Sequence, residues 1–305
     1  MIKLETIKDR SKMMTRVRAF FTERALIEVD CPAACNYPPI DLHIDLIKAD
    51  THYLFTSPEY GMKRLLVMGM PDIYQLCHVY RKGEVTQRHN PEFMLAEWYR
   101  LTLNYEQFLQ ECCDFIHLFI EKRPVERISY QEAFLRYVGL NPHTASDKEL
   151  KEACRDLNLS EHSTWDRDDY LNLLLSTRVE PRFDKQAITI LTSFPKSQAM
   201  LARTREENGI TVAARFEFFT DGLELGNGYH ELTDQTEQKR RLHAADSARK
   251  NIGKEGLTPD PFFLAALEKG LPNCFGVAMG FDRLMMVRHN TPQIGDVIPF
   301  AWNLA

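Results

Sequence analysis

The chain has 305 residues, 44% of them hydrophobic and 27% charged, with a formal net charge of −5. That is ordinary for a soluble globular protein, long enough for one large domain or two modest ones. The negative balance excludes a broad basic footprint for nucleic acid and leaves room only for a local patch.

The N-terminal Met1-Ile-Lys-Leu-Glu-Thr carries no apolar signal core, and no run reaches the length of a membrane span, so a cytoplasmic location without membrane attachment is expected. The seven cysteines, at 31, 35, 77, 112, 113, 154 and 274, include no pair of CxxC units. They read as reduced, mostly buried thiols; Cys31 and Cys35 have no matching Cys/His pair downstream that would complete a metal site.

In chain order, residues 8–24 read as a helix with Met13, Val17 and Phe20 or Phe21 on one stripe. Leu26–Asp30 is a short strand ending at Cys31-Pro32, and 53–56 is another. Ser57-Pro58-Glu59 opens a helix through about Val67, with Ser57 as N-cap and Pro58 at the first helical position. Ile73–Tyr80 and Phe93–Tyr99 are strands, joined by a polar link from Arg81 to Glu92 that is long for a hairpin and therefore a candidate functional loop. Residues 105–122 form a helix, and 129–180 are mainly helical, in the pieces Tyr130–Tyr137, Lys148–Leu157 and Asp168–Leu175. Strands return at 187–194 and 212–219, and the chain closes with a strand at Gly276–Gly280 and a helix carrying Asp282 and Arg283.

Strands, then helices, then strands again, with few βαβ units, predict an α+β fold built on an antiparallel sheet. Neither GxxxxGK[ST] nor GxGxxG occurs, so a P-loop or Rossmann nucleotide site has no support.

The most informative stretch is 216–234. Asp221-Gly222 favours a two-residue hairpin turn, which sets Thr220 against Leu223 and Phe219 against Glu224. Alternation then puts Glu217 on the face of Phe219, diagonal to Glu224. Two carboxylates so placed repel each other, and either hold Mg²⁺ carrying a nucleotide phosphate or lie on a solvated hairpin edge.

Three further constellations stand out. Glu97 and Tyr99 share a strand face with Phe93 and Leu95, which makes either a seat for an ammonium group or a sheet face with a peripheral acid. Arg81, at the mouth of the long loop beside Lys82, Arg88 and His89, suits phosphate or carboxylate oxygens, or is a solvated loop charge. In Gly276-Val-Ala-Met-Gly-Phe-Asp-Arg, two glycines allow close approach of a planar ligand. Arg283 adds a cation to a helix N-terminus, a conflict that a phosphate or a salt bridge would relieve.

Together these segments resemble the three signature motifs of class II aminoacyl-tRNA synthetases. Helix 8–24 with the strand to Pro32 resembles motif 1, the dimerisation element; Tyr80-Arg81, the loop and Phe93–Tyr99 resemble motif 2; Gly276–Leu284 resembles motif 3. Within the class, Ser57-Pro-Glu-Tyr, His89-Asn-Pro-Glu-Phe, Glu97-Trp-Tyr and Glu224-Leu-Gly-Asn-Gly-Tyr-His-Glu-Leu resemble the lysine-specific enzymes.

With its helix beginning near residue 8, the chain is expected to lack an anticodon-binding OB domain, and Ala278 stands where lysyl synthetases typically carry glycine. Both features, and the segments Ser57–Val67, Ser129–Tyr137 and Phe194–Ala199, are similar to the lysyl-tRNA synthetase paralogues that modify elongation factor P with (R)-β-lysine. The expected organisation is one class II catalytic domain over 1–305, with a mainly helical insertion at 123–185.

The resemblance implies ATP and Mg²⁺ as cofactors, lysine or (R)-β-lysine as substrate, elongation factor P as acceptor and a homodimer. It assigns Arg81 to the α-phosphate and the substrate carboxylate, Arg283 to the γ-phosphate, and Glu217 and Glu224 to Mg²⁺. Lys82, Gly83, Glu84, Asn90, Leu225 and Gly280 would line the ATP site with Arg81, Glu224 and Arg283. Ser57, Pro58 and Glu59 would meet the reacting-end amine, Glu97, Tyr99 and Glu231 the side-chain ammonium, and Asn227 the carboxylate. The Ala278 methyl would reshape the pocket wall, consistent with a β-amino acid.

Simple alternation puts Glu231 on the opposite face from Glu224, so Gly226 and Gly228 must bend or bulge the strand. Motif 2 usually reads Arg-x-Glu and here reads Arg81-Lys82-Gly83-Glu84, so either Glu84 substitutes through a loop shift or the adenine contact differs. Two other readings stay open: a minimal lysine–tRNA ligase, against which the missing OB domain and the negative charge count, and a non-catalytic paralogue that binds an amino acid or adenylate, against which the retained Arg81, Arg283, Glu217 and Glu224 count.

Overall fold

The computed structural model describes residues 3–157 and 165–305, in two compact units: one comprising the chain up to Lys122 and Glu231–Ala305, the other Arg123–His230. Part of the expected helical insertion, 158–164, lies outside the described residues.

The first unit opens with α1 (Leu4–Glu23), which buries Thr6, Arg10, Met13, Val17, Phe20 and Phe21 at helical spacing. The helix begins earlier than its apolar stripe predicts, and both Phe20 and Phe21 are inside. Next come β1 (Ile27–Glu28), β2 (Ala34–Cys35), β3 (Lys48–Ala49), β4 (His52–Leu54), α2 (Glu59–Val67), β5 (Ile73–Tyr80), β6 (Glu92–Arg100) and α3 (Tyr105–Ile116). Asn104 starts α3 with a reciprocal capping box to Gln107. The helix stops sooner than predicted, its last carbonyls taken by the tight turn through His117 and Phe119.

The second unit contains β7 (Val125–Ser129), α4 (Tyr130–Tyr137), α5 (Asp147–Ala153), α6 (Arg167–Leu174), β8 (Ile188–Pro195), β9 (Thr204–Glu207), β10 (Ile210–Thr220) and β11 (Leu223–His230). Ser129, Ser146 and Asp166 each form a capping box at the start of α4, α5 and α6. The chain then supplies the first unit with α7 (Gln235–Asn251), α8 (Pro261–Lys269), β12 (Phe275–Gly280) and α9 (Phe281–Arg288).

The family of folds expected from the sequence is the one observed: α+β, with mostly antiparallel strands and flanking helices. In the first unit β1 pairs parallel with β5, β5 antiparallel with β6, and β6 antiparallel with β12; β4 lies between β2 and β3 in a small separate sheet. Its core joins α1, α3 and the sheet through rings such as Phe21 stacked on Tyr74 and Trp98 against Phe115. In the second unit β7 pairs parallel with β8, and β10 pairs antiparallel with β8, β9 and β11. Its core gathers Tyr130, Phe134, Leu171, Leu174, Phe194 and Phe219. No helix among the described residues is long and apolar enough to cross a membrane.

Candidate active site

In the first unit, an amine-binding set grows from the junction of α2 and β6. Pro58 rather than Ser57 occupies the N-cap of α2. Ser57 still serves the helix, accepting from Glu59 N at 3.0 Å, while its hydroxyl donates to Glu97 Oε2 at 2.6 Å. Tyr99 OH donates to the other carboxylate oxygen of Glu97 at 2.7 Å.

β6 is the middle of three antiparallel strands here. Glu97 is flanked by Gln75 and Ala278, and Tyr99 by Ile73 and Gly276. The Ala278 side chain therefore shares a face with Glu97 and packs with Phe55, Val79 and Leu95.

Lys63, one helical turn after Glu59, completes the set. It is fully buried, with its ammonium 2.5 Å from Glu59 Oε1 and 2.6 Å from Glu231 Oε2. A buried lysine ordinarily loses its proton more readily, but the Glu231 and Glu59 carboxylates outweigh desolvation and hold it firmly charged. Burial pushes Glu97 up to about 7, helped by Glu59 and opposed by Ser57, Tyr99 and Lys63. Glu231 moves up for the same first reason, with Lys63 opposing it.

Gly276 is required by close approach. A Cβ there would lie 2.3 Å from Glu231 Oε1 and 2.4 Å from Tyr99 Cε1.

The arginines of the same unit sit at element ends. Arg81 follows β5, its N–H bonded to Pro91 O at 2.8 Å and its guanidinium 4.9 Å from the Phe93 ring centroid. Its Nε is buried and has no hydrogen-bond partner among the described residues. Such a charged donor fits an anionic oxygen, as a phosphate or carboxylate would supply.

Lys82 and Glu84 lie in the loop, and Lys82 N donates to Asp45 O at 2.9 Å. Gly83 has φ +80°, a left-handed conformation that a glutamate adopts poorly. Glycine therefore fits the conformation that the loop adopts at this position.

Asn90 is buried. Its Nδ2 donates to Glu92 O at 2.6 Å and its Oδ1 accepts from Trp302 N at 2.9 Å, so its amide is engaged by backbone at both ends. Gly280 caps α9, and Arg283 lies in its first turn with Nη2 2.7 Å from His89 Nε2. A guanidinium only donates, so that ring nitrogen accepts and the proton sits on Nδ1, facing Thr86 Oγ1 at 2.8 Å.

In the second unit, the hairpin has the register expected at its turn: Thr220 opposite Leu223 and Phe219 opposite Glu224, with Asp221 and Gly222 both at positive φ. Beyond it the register shifts. Leu225 is an extra residue, so Phe218 meets Gly226 and Glu217 meets Asn227. Burial follows the shift: Leu225 and Gly226 are both buried, while Glu224, Asn227 and Tyr229 are half-buried. The bend that the sequence demanded of this strand is therefore a bulge at Leu225, one residue before the glycines. It brings Asn227 to the face that carries Glu224 and Glu217.

Arg215, which the sequence reading passed over, organises this face. Its Nη2 donates to Glu217 Oε1 at 2.5 Å, its Nε to Asn227 Oδ1 at 3.2 Å and its Nη1 to Gln198 O at 3.1 Å. Burial raises the Glu217 carboxyl above its ordinary range, and Glu224 adds to this while Arg215 opposes it. Its sequence signal was its position two residues before Glu217, hence on the same strand face. Lys63 likewise stands four residues after Glu59 on one helix face, a spacing usually seen in surface pairs.

Among the described residues no group of three or more His, Cys, Asp or Glu side chains is placed to hold a metal ion by itself. Two neighbouring carboxylates do not cage a metal ion. They do fit a Mg²⁺ whose other ligands are water and nucleotide phosphates.

Residues 3–303 match the family of tRNA synthetases class II (D, K and N). The chain belongs to this family. Within it, the chain is 39% identical over 307 residues to the elongation factor P–(R)-β-lysine ligase of Pasteurella multocida, covering 97% of this chain and 95% of that protein. The ligases of the same name from Haemophilus influenzae strain KW20/Rd and Haemophilus ducreyi are 41% and 40% identical, covering 96% and 97% of this chain and 93% and 94% of theirs.

Proposed function

We propose that the protein is an AMP-forming ligase that activates (R)-β-lysine or lysine with ATP as an aminoacyl-adenylate and transfers it to a lysine of elongation factor P. The observation that carries this reading is the set of buried Glu97, Glu231 and Lys63 with half-buried Glu59, in which carboxylates outnumber ammonium groups. The names of the relatives supply the acceptor.

In this reading Glu97, Tyr99 and Glu231 hold the side-chain ammonium, and Ser57, Pro58 and Glu59 meet the amine at the reacting end. Asn227 and Arg81 take the carboxylate. The carboxylate attacks the α-phosphorus in line and pyrophosphate leaves. Arg81 neutralises charge at the α-phosphate, Arg283 at the γ-phosphate, and Lys82, Gly83, Glu84, Asn90, Leu225 and Gly280 shape the nucleotide's seat. Positioning and electrostatics contribute most of the rate. Glu217 and Glu224 would hold Mg²⁺, which when bound offsets phosphate charge. The acceptor amine then displaces AMP, forming an amide. The reading also takes the chain as one catalytic domain with a helical insertion at 123–185, acting as a homodimer through α1.

ATP–pyrophosphate exchange with α- and β-lysine tests activation, and mass spectrometry of elongation factor P after incubation tests transfer. Exchange without modification of elongation factor P, but with charging of tRNA, would move the acceptor to tRNA. No exchange with any diamino acid would leave a binding protein. Arg81→Ala is expected to abolish exchange; a near-normal rate would remove Arg81 from the mechanism.

A further inference from the structure

The Lys63 ammonium is paired with the carboxylates of Glu59 and Glu231 and acts through space on a third, Glu97. Glu97 and Glu231 are 2% and 1% exposed, and Lys63 has no exposure at all. The surrounding groups do not alter that count. From β5, the Gln75 amide is neutral and bonded to both backbone groups of Cys31, at 2.9 and 3.1 Å. The thiols of Cys31 and Cys77 are pushed up to about 11 and about 12, by burial first and Glu97 next, so both stay neutral. Burial likewise keeps the phenols of Tyr99 and Tyr60 protonated. On α8, the Asp260 carboxylate is engaged by the N–H groups of Phe262 and Phe263. Asp30 and Arg64 act on Cys31, with opposite charge.

Among the described residues Lys63 is thus one cation set against three carboxylates, two of which, Glu97 and Glu231, are removed from water. Isolated buried charges are so costly that such groups neutralise by taking up protons. Resting on the proposed function, we propose that this pocket exchanges protons for ammonium groups: Lys63 offsets one of the three carboxylates, and a diamino acid entering the site releases up to two protons to solvent. Lys63 is a specificity-determining positioning residue that sets the pocket's capacity at two cationic groups. The ammonium groups keep their protons; those released leave the carboxyl groups, chiefly of Glu97 and Glu231. The raised position of both carboxyls agrees with this exchange.

Isothermal titration calorimetry of the full-length protein with β-lysine and α-lysine, in buffers of different ionisation enthalpy, reads the proton count directly. Wild type is expected to release about two protons per ligand at pH 6 and well under that at pH 8. Glu97→Gln should lower the pH 6 count by about one; Lys63→Met, which leaves three carboxylates for two incoming ammonium groups, should keep the pH 6 count at about two and raise the count at pH 8, while Lys63→Arg keeps the wild-type values. Norleucine, with one ammonium fewer, should release about one proton fewer than lysine.

Binding without buffer dependence at pH 6 would overturn the exchange while leaving the proposed function standing. An unchanged pH 8 count in a folded Lys63→Met protein would remove Lys63 from it. If Lys63→Met does not fold, the wild-type and Glu97→Gln counts still decide the exchange. Absence of binding by any diamino acid would overturn the function and the exchange together.

Discussion

The guanidinium of Arg10 donates to the carboxylate of Asp282, tying the first helix of the chain to the residue just before Arg283. Asp282 also accepts from Met94 N at 2.7 Å, and Arg10 Nη1 reaches Val297 O at 3.2 Å, so α1, α9 and β6 meet on one buried ion pair. Removing one partner of such a pair strands the other charge. Arg10→Met is expected to cost about 3–5 kcal/mol in urea unfolding. The half-exposed Arg18–Glu28 pair of the same helix should behave differently, with Arg18→Met costing less than about 1 kcal/mol. Equal losses in the two variants would show that the Arg10–Asp282 pair has no special place in the fold.

Gly276 offers a sharper probe of the amine set. The Cβ introduced by Gly276→Ala would press on Glu231 Oε1 and on the Tyr99 ring, both buried. Gly276 lies in β12 opposite Tyr99, so the methyl is not free to turn away. The expected outcome is a rise of about tenfold or more in the KM for the diamino acid, equivalent to about 1.4 kcal/mol, with the KM for ATP within about twofold of wild type. Equal effects on both substrates would point to general distortion of the sheet instead.

These two sites also show where the sequence was legible. The strand carrying Glu97 and Tyr99, and the turn at Asp221-Gly222, rest on alternation and on dihedral preferences, which are local; both lie where expected. The bulge at Leu225 was legible only as a requirement, since two glycines permit a register change at several positions and the pairing partner decides which is used. Lys63 and Arg215 were missed for a common reason. Each reads locally as a surface cation beside an acid, and only tertiary burial turns it into the counter-charge of a carboxylate set. The small strands β2, β3 and β9, and the polar helix α7, have too few apolar residues for periodicity to mark them.

Arg249, on α7, supports the Arg81–Lys82 segment at one remove. Its Nη1 donates to the carbonyls of Asp41 and Ile44, the latter at 2.7 Å, and its Nε to Glu255 O at 3.2 Å. The loop so held presents Asp45 O to Lys82 N at 2.9 Å. Arg249→Met removes the donor that these part-buried carbonyls share, at a cost of about 1 kcal/mol. Faster hydrogen exchange is expected at the Lys82 amide and across 41–47, together with a raised KM for ATP and little change in that for the amino acid. Unchanged exchange at Lys82 would mean that the loop holds its place without Arg249.

The raised carboxyls should leave a mark on stability. Glu97 sits at about 7 against an ordinary 4.5, and Glu231 is also raised, both chiefly through burial. The folded state therefore keeps protons that the unfolded chain gives up near pH 4.5. Stability from this source is complete below that point and is lost as the pH rises through about 7. For Glu97 alone the loss is about 3 kcal/mol, on the order of 5 °C in Tm for a chain of this size. Lowered carboxyls such as Glu237, held at about 2 by Arg240 and Arg241, act in the opposite sense but only as the pH falls below their ordinary range, so the two effects occupy separate windows. Melting between pH 5 and 8 without amino acid should show Tm falling with pH, a shallower slope for Glu97→Gln, and a much flatter profile with saturating lysine, whose ammonium groups compensate the ionised carboxylates. A profile that is flat without lysine would show that Glu97 and Glu231 are already ionised at pH 5.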